Sequence, residues 1–180
     1  RMHFIVQREG DCADRGTGCA QIYLEYPEVE RHGGSGVADS INAVIQEFVL
    51  GPFLGNERPD SAGTLITQFM GSYRLAKKEY PSATSWTLER HVMMARDTLG
   101  IAAIAMRWYE FTGGAHPNTR TEYASFEVRT GKRLRLSDLT FPGRGNDLNA
   151  IAETTFRILK RLPPEGGLAS EGFWFENDQF

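Results

Sequence analysis

The run Tyr109-Glu110-Phe111-Thr112-Gly113-Gly114-Ala115-His116-Pro117-Asn118-Thr119 places an imidazole and an amide in a turn between two long alternating segments. Gly113 and Gly114 supply backbone angles that other residues resist, Pro117 fixes its own φ, and Asn118 tolerates left-handed geometry. Such a turn can hold His116 toward a ligand. The same imidazole and amide can instead hydrogen-bond their own loop. The candidate ligand-binding residues are therefore Gly113, Gly114, His116, Asn118 and Thr119, and none is assigned a catalytic role. Glu110 and Glu122 could face each other across this hairpin, either as an acid/base pair or as solvated strand residues, which do so routinely.

Other residue patterns offer less chemistry. His3, His32, His91 and His116 fit no H-E-x-x-H or other close ligand spacing, so no metal site is assigned. Gly33-Gly34-Ser35-Gly36 misses the nucleophile elbow by register, and Gly131-Lys132 lacks the glycine spacing of a phosphate loop. Neither calls for a cofactor. Cys12 and Cys19 flank six residues with two glycines, a spacing that suits neither zinc nor dithiol redox chemistry. They read as a disulfide worth about 2 to 3 kcal/mol on the chain-entropy model, with two free thiols in a reducing compartment as the alternative.

Periodicity supplies the elements that must hold these residues. Residues 2 to 9 and 19 to 26 alternate as a hairpin closed by the cysteine loop, and Pro27 marks its exit. His32-Gly33-Gly34-Ser35-Gly36 makes a flexible approach to a helix whose face is Val37, Ile41, Val44, Ile45 and Phe48, ended by Gly51-Pro52. A second helix runs from Asp60, its expected N-cap, to Tyr80, with Leu65, Ile66, Phe69, Tyr73 and Ala76 on one side. From Ser85 the period becomes two, and strands at 85 to 98, 101 to 112 and 120 to 129 form an antiparallel meander. A turn at Thr130-Gly131-Lys132, a short strand at 134 to 136, and a helix at 146 to 162 follow. Phe173-Trp174-Phe175 reads as a final strand with nothing left to pair it, so the chain is expected to be incomplete at its C-terminus.

The predicted fold class is α+β: an antiparallel β meander packed against about three helices, with an N-terminal hairpin. Two lobes, residues 1–82 and 83–180, are expected to share one sheet as a compact unit. Trp86, Trp108, Tyr109, Phe111 and Tyr123 crowd the meander, either as core or as a stacking surface.

At 180 residues the chain can bury a sizeable core without disulfides. Its net charge of -3 offers no broad attraction to phosphate backbones, so nucleic acid is not an expected partner. No stretch approaches the roughly 20 apolar residues that span a bilayer. Membrane association would come only through a lipid anchor or a signal upstream of Arg1.

The Gly113–Thr119 turn, with Phe126-Glu127-Val128-Arg129-Thr130-Gly131-Lys132 and Leu136-Ser137-Asp138-Leu139, resembles the bacterial domain of unknown function at the C-terminus of the anti-sigma factor RsiV. Ile22-Tyr23-Leu24-Glu25-Tyr26-Pro27 and Ser40-Ile41-Asn42 are similar to its companion N-terminal segment, found also beside the catalytic domain of the peptidoglycan deacetylase PdaC. The resemblance implies an extracytoplasmic domain, in the periplasm or at the cell surface, carried by a lipoprotein or secreted protein. It further implies a binding surface for a lysozyme-like protein, and it places deacetylation in a separate domain.

The leading expectation is a non-catalytic bacterial envelope domain that binds a lysozyme-like protein or a cell-wall glycan. The alternatives are a cell-wall-directed hydrolase using His116 with a carboxylate, and a purely structural envelope domain.

Overall fold

The computed structural model describes residues 1–12, 18–30, 36–55 and 57–173. The interior of the cysteine loop, the approach segment from His32 to Ser35 and the expected final strand beyond Phe173 lie outside them. Two compact units divide the chain, residues 1–133 and 134–180.

The first unit is built on a sheet in the order β1-β2-β3-β4-β5-β6. β1 (Met2–Gly10) and β2 (Cys19–Pro27) form the N-terminal hairpin, with Met2 opposite Pro27 and Gly10 opposite Cys19. Cys12 and Cys19 are joined by a disulfide with their Cα atoms 4.8 Å apart. β3 (Trp86–Thr98), β4 (Ile101–Phe111) and β5 (Asn118–Glu127) are the antiparallel meander. The two-residue β6 (Arg133–Leu134) borders it.

Hairpin and meander meet through β2 and β3, which pair in parallel from Ala20 opposite Trp86 to Glu25 opposite His91. A parallel pair needs a crossover, and α1 (Val37–Val49) and α2 (Ala62–Glu79) occupy it. Ile41, Ile45 and Val49 of α1 and Leu65, Phe69, Met70 and Tyr73 of α2 are buried with Ile22, Leu24, Leu88, Ile104, Met106 and Phe126 from the strands. This single core is what the 3.6-residue and two-residue periods were expected to build.

Local chemistry sets the helix limits. Ser61, one residue after the expected Asp60, caps α2: its Oγ accepts from Thr64 N at 3.1 Å, while Asp60 Oδ1 accepts from Thr64 Oγ1 at 2.5 Å. The turn after β5 brings Gly131, at φ 72°, so close to α1 that an added Cβ would lie 2.7 Å from Val37 Cα. Only glycine fits that approach.

In the second unit, α3 (Leu136–Leu139) opens with Asp138 Oδ2 accepting from Arg135 N at 2.8 Å. α4 (Gly145–Lys160) ends on Arg161 in the left-handed region. Buried Arg157 donates to Glu153 Oε1 and to the carbonyl oxygens of Pro163 and Gly166, holding the returning chain. Phe173, the described start of the expected final strand, meets Phe156 edge to face at 5.0 Å, close to the 3₁₀ turn Leu168–Glu171.

Candidate functional site

The β4–β5 hairpin carries the residues singled out by the sequence. Gly113 has φ 86°, and a Cβ there would stand 2.8 Å from Thr84 Oγ1 and 3.4 Å from Trp86 Nε1. Trp86 is itself buried against Phe53, Phe69 and Tyr73. The loop is therefore seated on the core through a glycine that no other residue can replace without displacement. Gly114 has neither constraint.

Beyond this seat, residues 113 to 120 are all exposed. His116 Nδ1 lies 3.2 Å from the carbonyl oxygen of Pro117. Asn118 opens β5 opposite Glu110, and Thr119 stands opposite Tyr109. A cavity of about 420 Å³ lies under the loop, walled by Tyr80, Thr84, Trp86, Thr112 and Gly113.

Glu110 and Glu122 do not face each other across the hairpin. Glu122 pairs in register with Met106, four residues along β5 from Asn118, and its carboxylate binds Arg120 at 2.5 Å. Register alone separates them.

A second cavity, of about 320 Å³, opens on the helix-covered face of the same sheet, lined among others by Phe48, Gly51, Arg58, Arg90, Trp108 and Arg120. Arg90 is only 2% exposed. Its Nη1 donates to the carbonyl oxygens of Phe48 at 3.1 Å, Val49 at 2.7 Å and Gly51 at 2.8 Å. Phe48 and Val49 close α1 and Gly51 follows it, so the guanidinium sits at the negative end of the helix dipole; Phe48 O also accepts from Gly51 N at 3.1 Å. Burial pushes the guanidinium pKa down to about 10, with the charge of Glu110 opposing. Burial likewise pushes the Glu110 carboxyl up, with Arg90 opposing. Trp108 carries Arg90 at 5.5 Å and Arg120 at 6.0 Å from its ring centroid.

Sequence reasoning missed Arg90 and Arg120, and left Trp108 between core and stacking surface. The signal was present: Trp86, Leu88, Arg90 and Val92 alternate on one face of β3, so a charge interrupts an otherwise apolar side. Trp108 is half-buried at the cavity, whereas Tyr123 is 70% exposed. Among the described residues no group of three His, Cys, Asp or Glu side chains is placed to hold a metal ion.

A family model described as deacetylase PdaC matches residues 14–119. The chain belongs to this family. The PdaC match runs through the β2–β3 junction and ends on Thr119, the last of the loop residues. A DUF3298 family protein from Pseudomonas aeruginosa PAO1 superposes with a TM-score of 0.61 at 17% identity, covering 90% of this chain and 68% of its own. A DUF3298 member from Bacteroides fragilis NCTC 9343 gives 0.58 at 16% identity, covering 96% and 72%. These solved structures share the fold. A search of curated proteins found no match. Membership in the PdaC family suggests a domain associated with the cell envelope.

Proposed function

We propose that this is a non-catalytic, extracytoplasmic binding domain of the cell envelope that engages a lysozyme-like protein through residues 113 to 119. The observation that carries the reading is the contrast within the hairpin: every residue from Gly113 to Arg120 is exposed, while Gly113 is pinned on Thr84 and Trp86. An exposed surface whose first residue lies close against Thr84 and Trp86 loses little freedom on binding, which favours recognition of a macromolecule. The RsiV-like resemblance supplies the partner class. The contact of His116 Nδ1 with the carbonyl oxygen of Pro117 orients the exposed ring within its own loop.

Titration calorimetry with lysozyme, alongside soluble peptidoglycan fragments assayed for turnover, tests the proposal. Saturable lysozyme binding, weakened at least tenfold in the His116→Ala/Asn118→Ala double variant, is expected. Fragment binding without lysozyme binding would transfer the site to a glycan. Product formation lost in His116→Ala would overturn the non-catalytic reading in favour of a hydrolase.

A further inference from the structure

We propose that the cavity between α1 and the core face of β3–β5 is a carboxylate-binding site, with Arg90 and Trp108 as its donors. Nη1 of Arg90 is committed to the end of α1, but Nε and Nη2 are buried and have no hydrogen-bond partner. Those two nitrogens form the edge of a guanidinium that accepts a carboxylate side-on through two parallel bonds. The indole Nε1 of Trp108 is also buried without a partner, and both side chains line the same cavity. Three unmet N–H groups, all donors, call for a ligand rich in acceptors.

The wall has the matching charge. Arg58, Arg90, Arg120 and Arg133 line the cavity against the carboxylates of Glu47 and Glu122. Glu122 is engaged by Arg120 at 2.5 Å. Glu110 acts on Arg90 through its charge and makes no hydrogen bond to Nε or Nη2. A net positive lining therefore surrounds the cavity to which Arg90 and Trp108 contribute. A single planar anion fits it better than a tetrahedral dianion, because Glu47 and Glu122 oppose a second negative charge. The volume of about 320 Å³ admits a free small carboxylic acid or the C-terminal carboxylate of a peptide.

The indole N–H resonance of Trp108 in the nitrogen–proton correlation spectrum of the whole chain, assigned by its loss in Trp108→Phe, reads the site. Sodium acetate should shift it saturably in the millimolar range, and sodium chloride at equal ionic strength should not. Trialanine with a free C-terminus should also shift it if peptide termini are the source, and its C-terminal amide should not. A response to acetate alone assigns the site to small free acids. Arg120→Gln, at an exposed position, should weaken acetate about tenfold or more while leaving the amide spectrum folded. Arg58→Gln provides a second variant on another element, with weakening again expected. The proposal is overturned by no saturable shift, by phosphate binding more tightly than acetate, or by unchanged affinity in both arginine variants. His116→Ala should leave the acetate response intact, so failure here and failure at the loop are separable.

Discussion

Gly113 carries two constraints at once, a left-handed backbone and a 2.8 Å limit to Thr84, whereas its neighbour Gly114 carries neither. Gly113→Val should therefore destabilise by about 1 to 3 kcal/mol, and Gly114→Ala by less than about 1 kcal/mol, in urea unfolding. Equal costs at both positions would contradict this seating. The glycine pair was legible in the sequence as a demanding turn, but which of the two bears the demand depends on Thr84 and Trp86, which approach only in the fold. Glu110 yields a pH prediction of the same local kind. Burial raises its carboxyl above the ordinary 4.5, so the folded chain binds more protons than the unfolded chain in the window above that value. Its contribution to stability is complete below pH 4.5 and is lost as pH rises through the folded value. Glu110→Gln should flatten the stability profile in that window, measured by denaturant unfolding at successive pH values; an unaltered slope counts against it.

At the scale of elements, Arg90 joins strand to helix by donating to three carbonyls at the end of α1. Arg90→Met fills similar space without the donors and should cost about 1 to 3 kcal/mol, together with faster hydrogen exchange at Val49 and Leu50. A stability loss without faster exchange there would place the effect elsewhere. The helices and strands were legible because their apolar periods of 3.6 and two are local properties. The parallel pairing of β2 with β3 was not, since it unites residues such as Gln21 and Thr87 that stand 66 positions apart. Nor was the arginine cavity, whose members come from α1, its following loop, β3, β4, β5 and β6. A shared sheet for hairpin and meander was expected, but not which strands join them or in which direction.

For the molecule as a whole, the sheet order places the N-terminal strand β1 at one border, joined to its neighbour by hydrogen bonds from Met2–Pro27 to Gly10–Cys19 and by a disulfide at that far end. Thiol titration of the unfolded chain should find no free thiol before reduction and two afterwards, and reduction should cost about 2 to 3 kcal/mol. The position of the bridge also governs how this domain bears mechanical load. Tension applied at Arg1 meets the ladder at its open end and unzips β1 one pair at a time, a yielding that needs little force. Once the strand has peeled, the covalent bond passes the load directly into β2 at Cys19, beside the parallel seam with β3. Opening the bond frees the chain from Cys12 to Cys19, a sequence separation of 7 whose ends stand 4.8 Å apart when bridged, and adds about 20 Å of extension before β2 is loaded. Single-molecule pulling from the N-terminus should record that difference between oxidised and reduced protein: the disulfide acts as a stop that lets one strand give way and then hands the load to the core without slack.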